Sequence, residues 1–361
     1  MSERKWWFKR YDGVEKYTIH PTETLEGRLQ FNENLWGPSP KCMEVIKDIQ
    51  PSDLNYYDLR EKDFLGEALA KLLDLPSNYL FFHCGSSEVI KAVLGIMVCP
   101  GDVALIPKPG WGSYRGMFNA KKAKLIEYRV SEGEEEYYHD IEDINNKAEQ
   151  FDAKIIVITT PNMPTGNRIS QENLEKILKD NPNRIVMVDE CYYGCAEMNL
   201  DLHYLIDTYD NVIFIRTLSK IYGLANIRVG FGLASPEMVN LVDYLLPLHK
   251  IPNIIRKIAV AAIEDIEYTE KNKKEIIDSR NWLYNELNKR NGIKAFKSYS
   301  NFVYVKFERH DAKNVHCYMN EHGITTRLFD DLSGTHMRIT VAPMEILEKC
   351  INVLDNALKN F

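Results

Sequence analysis

The residue whose position is most suggestive of chemistry is a lysine that follows an apolar, strand-like segment. Residues 212–219 read VIFIRTLS, and Lys220 comes directly after them. Burial at the end of a strand disfavours a charged ammonium and favours the neutral amine that attacks carbonyl carbons. Ser219 precedes this lysine, and Arg228 follows it by eight positions. Because a hydroxyl and a guanidinium suit a phosphate group, the segment predicts a Schiff-base lysine for pyridoxal phosphate.

Polar clusters also follow four other apolar segments. They are Gly85–Glu88 after LFFHC, Lys108–Trp111 after VALIP, Pro161–Gly166 after KIIVITT, and Asp189 with Tyr192 after RIVMV. Ligands of open α/β sheets bind beyond the carboxyl ends of the strands. The five clusters are therefore expected to meet in one crevice.

Each cluster offers a group that this cofactor needs. Asp189 can keep the ring nitrogen protonated, which makes the ring an electron sink. Asn162 and Tyr192 can donate to the phenolate oxygen, and Trp111 can stack on the ring. Taken alone, each also fits a structural role: Asp189 a helix cap or an ion-pair partner, Asn162 a turn residue, and Trp111 a buried tryptophan.

Ser86 and Ser87 lie where a strand meets a helix, directly after Gly85. A glycine permits close backbone approach, and a helix N-terminus offers free N–H groups with a partial positive charge. The pair is therefore predicted to bind the cofactor phosphate together with Ser219 and Arg228. The alternative is that these serines only cap the helix.

The elements that position these residues alternate between strand and helix. Seven apolar β-rich runs between residues 80 and 235 are separated by helical segments. Such a pattern is typical of a mainly parallel sheet covered on both faces, so we expect an α/β fold with a seven-stranded sheet. The expected organisation is an N-terminal segment (1–40) that joins the small domain, a large cofactor-binding domain (41–245) and a small α+β domain (246–361).

Composition excludes several other classes of function. The chain has 361 residues, a net charge of −7 and 45% hydrophobic residues. Without a dense basic run, a nucleic-acid partner is not expected. Seven scattered cysteines and nine histidines show no metal-ligand spacing, so no metal site is expected. Because no signal peptide or apolar span is visible, we expect a cytoplasmic protein with no membrane partner.

The motifs together resemble those of the class I and II aminotransferases, the fold type I pyridoxal-phosphate enzymes. The resemblance extends from Asn32 to Arg338, and its nearest branch is histidinol-phosphate aminotransferase, whose segments FNENLWGPSP and RTLSKIYGLANIRVGFG look similar. It implies that Lys220 is the Schiff-base lysine and Asp189 the ring-nitrogen partner. It further implies that Trp111 takes the stacking position, where relatives usually carry tyrosine.

The resemblance also implies a substrate site and a homodimer. Arg338 matches the arginine that binds the substrate carboxylate, and Arg327 matches one that helps to bind a substrate phosphate. Tyr57 matches a tyrosine that reaches the cofactor phosphate of the neighbouring subunit, with Tyr56 as the alternative.

The expected function is transamination of an anionic amino acid or amino alcohol, phosphorylated ones among the candidates, with a keto acid as second substrate. The alternative is decarboxylation of a phosphorylated amino acid such as phosphothreonine or phosphoserine, because the same cofactor site serves both reactions. A third hypothesis is a non-catalytic binder of small anions. The presence of both Lys220 and Asp189 argues against it.

Overall fold

A computed structural model describes residues 27–57, 63–196, 200–244, 246, 250–329 and 335–361. Its larger sheet has eight strands, and the predicted α/β class is confirmed. The strands are β1 Leu80–His83, β2 Val103–Lys108, β3 Lys124–Glu132, β4 Tyr137–His139, β5 Ala153–Thr159, β6 Ile185–Asp189, β7 Val212–Thr217 and β8 Gly230–Leu233. The seven predicted strands are all present. The prediction of seven missed β4, a three-residue edge strand that is too short to show a periodic pattern.

The spatial order of this sheet is β1-β8-β7-β6-β5-β2-β3-β4. Strands β7, β6, β5, β2 and β3 run parallel, whereas β8 is antiparallel to both of its neighbours. The carboxyl ends of the parallel strands therefore lie at one edge, where β8 begins. Every residue of β7 is buried, as expected for a central strand covered on both faces.

Thirteen α-helices accompany the strands in the described residues. They are α1 Pro40–Lys47, α2 Ser52–Asn55, α3 Phe64–Leu73, α4 Ser86–Met97, α5 Ser113–Ala120, α6 Ile141–Gln150, α7 Gln171–Asp180, α8 Leu202–Thr208, α9 Pro236–Asp243, α10 Asn253–Glu264, α11 Ile266–Asn288, α12 Ala312–Glu321 and α13 Met344–Asn360. Ser170 caps α7, because its hydroxyl accepts from the Asn173 backbone amide at 3.2 Å. At α4 the cap is Gly85 rather than a serine hydroxyl.

A second sheet of four antiparallel strands, in the order β11-β12-β10-β9, follows α11. Its strands are β9 Ile293–Phe296, β10 Phe302–Phe307, β11 Arg327–Phe329 and β12 His336–Thr340. One face is apolar and belongs to a separate core with residues of α11, α12 and α13. The other face carries polar and aromatic side chains, because residues alternate along each strand.

The segment after residue 26 lies against this second sheet. The Leu29 amide donates to the Thr325 carbonyl at 2.8 Å, and the Thr340 amide donates to the Leu29 carbonyl at 2.9 Å. These bonds agree with an N-terminal segment that joins the small domain. Residues 1–26 lie outside the described residues. The division of the chain at residues 40/41 and 245/246 stays a prediction.

The β3–β4 hairpin joins the two sheets. Glu132, at the end of β3, accepts from Lys294 at 3.0 Å and from Lys306 at 2.9 Å, both on the second sheet. The ring of Tyr137 packs edge-on against Phe296 and Tyr304, with centroid distances of 4.7 and 5.8 Å. Charge pairing and aromatic packing therefore fix the second sheet against the first.

In the part of the chain that the structure describes, none of the helices has the length and hydrophobicity needed to cross a membrane.

Candidate active site

Four neighbouring strands bring the predicted cofactor residues to one edge of the large sheet. In spatial order, β7 leads to Lys220, β6 ends at Asp189, β5 leads to Asn162 and β2 leads to Trp111. Thr159 and Asp189 are paired residues at the ends of β5 and β6. The sheet topology thus places these four residues at the same edge, where the sequence predicts that they meet.

Lys220 has the environment of a reactive amine. Its ammonium nitrogen donates to the Phe31 carbonyl at 3.1 Å and lies 5.4 Å from the centre of the Tyr192 ring. Burial, and next the positive charge of Arg338, lower the pKa of Lys220 to about 8. A lysine of this pKa has a substantial neutral fraction near neutral pH, and that form is the nucleophile.

Asp189 is a buried carboxylate held at both oxygens. The Tyr114 hydroxyl donates to Oδ2 at 2.5 Å, and the backbone amide of Cys191 donates to Oδ1 at 3.0 Å. Burial raises the pKa of Asp189, although the bonds from Cys191 and Tyr114 act in the opposite direction. A pyridinium N–H would supply a positive partner for this carboxylate, so its surroundings fit the predicted role.

Asn162 is fully buried, and its amide is bound on every side. Its Nδ2 donates to Thr165 Oγ1 at 2.6 Å and to the Pro109 carbonyl at 3.1 Å, while Oδ1 accepts from the Thr159 hydroxyl. Because both N–H groups have protein acceptors, a phenolate oxygen can bind Asn162 only by replacing one of them.

Tyr192 lies between the two sheets. Its hydroxyl accepts a hydrogen bond from Asn32 Nδ2 at 2.8 Å, and its ring is edge-on to Phe302 at 5.2 Å. Thr340 in turn holds Asn32, because its hydroxyl accepts from the backbone amide of Asn32 at 3.0 Å. Burial raises the pKa of Tyr192, so it stays protonated and can donate to an anionic oxygen.

The predicted phosphate site is formed where α4, β7 and β8 meet. Gly85 has a φ of 87°, and a Cβ there would lie 2.3 Å from Nη2 of Arg228. A Cβ on Gly230 would lie 2.2 Å from the Ser86 amide nitrogen. Only glycine permits these close approaches, which leave the start of α4 and a guanidinium side by side. Free N–H groups at a helix start and a guanidinium both suit a phosphate, so these residues fit the predicted role.

The serines border that arrangement. Ser86 and Ser87 are the first two residues of α4. Ser219 is buried, and its hydroxyl lies 2.9 Å from that of Thr217. Arg228 is itself in the left-handed region at a φ of 60°, and its Nη1 donates to the Ala225 carbonyl at 3.0 Å.

The two predicted substrate arginines are paired across neighbouring strands. Arg327 on β11 lies opposite Arg338 on β12, so both project from the same face of the second sheet. Arg338 is buried; it donates to the Gln30 carbonyl at 2.5 Å and lies over the rings of Phe302 and Phe329 at 5.4 and 5.9 Å. The pairing therefore places two guanidinium groups on the face of the second sheet that carries polar and aromatic side chains.

The remaining predicted residues differ in how well they are placed. Trp111 is half-buried, and its ring is edge-on to Tyr114 at 5.2 Å, next to the residue that binds Asp189. Tyr56 and Tyr57 are exposed, Tyr57 by 76%. A tyrosine meant for a neighbouring subunit would be exposed in one chain, but its role there stays a prediction.

Three residues that contact the predicted site were not singled out for it by the sequence. Tyr114 binds Asp189, Thr159 binds Asn162, and Asn32 binds Tyr192. Tyr114 and Asn32 reach partners that are distant in the sequence, which no local pattern reports. Thr159 is close in sequence to Asn162, and its position at a strand end was the available signal.

Comparison with known proteins assigns the family. The model of the family "Aminotransferase class I and II" matches residues 26–354. Histidinol-phosphate aminotransferase of Methanocaldococcus jannaschii is 30% identical over 346 residues, covering 95% of this chain and 91% of the relative. The chain therefore belongs to the class I and II aminotransferases. It is a pyridoxal-phosphate-dependent aminotransferase, and the surroundings of Lys220, Asp189 and Gly85 fit that cofactor.

Two solved structures show the same fold. Histidinol-phosphate aminotransferase from Sinorhizobium meliloti, in complex with pyridoxal-5'-phosphate, superposes with a TM-score of 0.85 at 23% identity, covering 92% of this chain and 91% of that one. L-threonine-O-3-phosphate decarboxylase from Porphyromonas gingivalis superposes with a TM-score of 0.74 at 17% identity, covering 92% and 99%.

Proposed function

We propose that this aminotransferase acts on an amino acid or amino alcohol that carries a phosphate, with histidinol phosphate as the first candidate. The pairing of Arg327 with Arg338 carries the proposal, because one guanidinium suffices for a carboxylate and a second favours a more highly charged substrate. The 30% identity to a histidinol-phosphate aminotransferase supports the same substrate class.

Bound pyridoxal phosphate would supply an electron sink for the substrate Cα. In the proposed mechanism, Lys220 would hold the cofactor and, with its amine free, would move the Cα proton as a general base and acid. Its lowered pKa, about 8, suits both roles. Arg338 and Arg327 orient the anionic groups so that the Cα–H bond faces the lysine.

The other residues hold the cofactor. Asp189 pairs with the ring nitrogen, Asn162 and Tyr192 donate to the phenolate oxygen, and Trp111 stacks on the ring. The phosphate binds at the start of α4, where its proposed ligands are Ser86, Ser87, Ser219 and Arg228. We also propose a homodimer in which Tyr57 completes the neighbouring subunit's phosphate site, in keeping with its exposure.

A half-reaction screen tests the function. Cofactor-loaded protein is mixed with histidinol phosphate, phosphoserine, phosphothreonine or an unphosphorylated aromatic amino acid. The visible absorbance is followed, and the carbonyl product and carbon dioxide are measured. A carbonyl product from histidinol phosphate, at a rate well above that with the unphosphorylated amino acid, supports the proposal. Carbon dioxide from phosphothreonine would instead support the decarboxylase alternative, and a preference for the unphosphorylated donor would exclude a phosphate-selective site.

A further inference from the structure

We infer that Thr159 is a positioning residue that fixes the side-chain orientation of Asn162, and that His139 holds Thr159 in place. The inference rests on the proposed role of Asn162 as a donor to the cofactor's phenolate oxygen. It adds two residues that do not themselves touch the cofactor but hold the amide in place.

A hydrogen bond joins the side chains of Thr159 and Asn162. Thr159 is the last residue of β5 and is 4% exposed, and its hydroxyl donates to Oδ1 of Asn162. The Pro109 carbonyl can only accept, so it identifies Nδ2, and the Thr159 hydroxyl holds the opposite end of the amide, Oδ1. The two N–H groups consequently point away from Thr159, toward Thr165 and the Pro109 carbonyl.

A buried histidine holds the backbone of Thr159. His139 on β4 is buried, and its Nε2 lies 3.0 Å from the Thr159 carbonyl oxygen. Since a carbonyl oxygen can only accept, His139 donates through Nε2–H. The histidine thus fixes the backbone at the residue whose hydroxyl fixes Asn162, and it does so from the hairpin that contacts the second sheet.

The consequence for the cofactor follows from the polarity of the amide. An N–H group directed at the phenolate oxygen stabilises its anionic form, whereas a carbonyl oxygen directed at it would repel that anion. Without the Thr159 hydroxyl, Oδ1 of Asn162 loses its hydrogen-bond donor, so that end of the amide is no longer held and Nδ2 is placed less precisely against the phenolate oxygen. A phenolate oxygen that receives no hydrogen bond from Asn162 holds the proton on the cofactor-bound lysine nitrogen more strongly. The pH at which that nitrogen loses its proton should therefore rise.

The test is a pH titration of the visible absorbance of cofactor-loaded protein, which does not depend on turnover. Thr159→Val removes the hydroxyl at nearly constant volume and should raise the midpoint by about one pH unit, a tenfold change, as expected for the loss of one hydrogen bond to a charged group. Thr159→Ser keeps the hydroxyl and should restore the wild-type midpoint.

The adjacent Thr160 provides a matched control. It is equally buried, but its hydroxyl accepts from the Ile169 amide at 3.1 Å. Thr160→Val therefore removes a buried hydrogen bond of similar kind without touching Asn162. An equal shift in Thr160→Val, or an unchanged midpoint in Thr159→Val, would overturn the inference. The titration reports only folded, loaded protein, so a lower yield of either variant does not affect the comparison.

A double-mutant cycle shows whether Thr159 acts through Asn162. Asn162→Ala should raise the midpoint by itself, and adding Thr159→Val in that background should cause no further rise. If Asn162→Ala leaves the midpoint unchanged, the proposed role of Asn162 fails. If Asn162→Ala shifts it and Thr159→Val adds a full independent shift, only the positioning role of Thr159 fails.

Discussion

The hydroxyl of Tyr114 lies 2.5 Å from Oδ2 of Asp189, deep in the protein and far from it in sequence. Both side chains are buried, so the bond is protected from competition with water. A hydrogen bond to an ionised carboxylate stabilises the charged form. Tyr114 therefore favours the state of Asp189 that can pair with a protonated ring nitrogen.

Tyr114→Phe should weaken cofactor binding by about tenfold or more, because a hydrogen bond to a charged group contributes roughly 1.5–3 kcal/mol. The dissociation constant can be measured by fluorescence titration of the cofactor-free protein. Tyr193→Phe is the control, since it removes the hydroxyl of another buried tyrosine, whose ring packs on Arg216. Equal losses in both variants would mean that the effect of Tyr114 is structural.

The rate at which cofactor-free protein binds pyridoxal phosphate covalently should rise with pH and reach half of its maximum near pH 8. Lys220 has a lowered pKa of about 8, and only its neutral form attacks the cofactor aldehyde. Arg338→Gln should move the midpoint upward, because the positive charge of Arg338 contributes to the lowering. The absorbance of the covalent complex measures the rate.

Lys220→Ala should form no covalent complex at any pH, which borohydride reduction followed by mass spectrometry would verify. Covalent labelling of another lysine in that variant would contradict the assignment. A capture rate that is flat between about pH 6 and pH 9 would contradict the lowered pKa.

The placement of the cofactor residues could be predicted because it depends on strand ends. Lys220, Asp189 and Asn162 each follow a continuous apolar run, and parallel strands place such positions at one edge. Gly85 was predicted on the same grounds, and Arg228 because a guanidinium near Lys220 suits a phosphate; the two residues lie within contact range. The sequence does not show which buried side chains orient them, since Tyr114 reaches Asp189 from another strand-to-helix connection.

The sequence also did not predict the shortest strand of the large sheet, β4. Strand β4 has the sequence Tyr-Tyr-His and is held by its antiparallel pairing to β3 and by contacts with the second sheet, not by an intrinsic pattern. The sequence therefore did not indicate that His139 lies near the site. Tertiary contacts determine such elements, and a single sequence does not display them.

Arg327→Gln should lower kcat/KM for phosphorylated donors by about 10- to 100-fold and affect unphosphorylated donors little, since a charge-assisted bond to phosphate is lost. Steady-state kinetics with one donor of each kind would measure the ratio. Arg309→Gln is a control at an exposed arginine that donates to Asn291. A uniform loss for both kinds of donor would contradict a phosphate-binding role.

His139 should make the free energy of unfolding dependent on pH. Burial lowers its pKa to about 4, below the roughly 6.5 of an unfolded chain. Between these values the unfolded state binds a proton that the folded state does not, so stability rises with pH. The contribution, about 3 kcal/mol, is complete above pH 6.5 and is lost as the pH falls toward 4.

Urea unfolding of wild type and His139→Gln at about pH 7 and pH 4.5 would measure this effect. The variant should lose about 2.4 kcal/mol less than wild type between the two pH values, whatever its stability at pH 7, because pH 4.5 lies just above the folded-state pKa. His322→Gln, at an exposed histidine, should behave like wild type. Parallel losses in wild type and His139→Gln would contradict the prediction.

The β3–β4 hairpin also determines where the chain can accept extra residues. Tyr137 packs against the second sheet and His139 binds β5, while Tyr138 between them is exposed. One residue inserted within β4 would reverse the alternation and direct one of these two side chains into solvent. An insertion between Gly133 and Glu136 would leave the alternation intact, so longer variants of this enzyme should differ in the turn and keep the length of the strand.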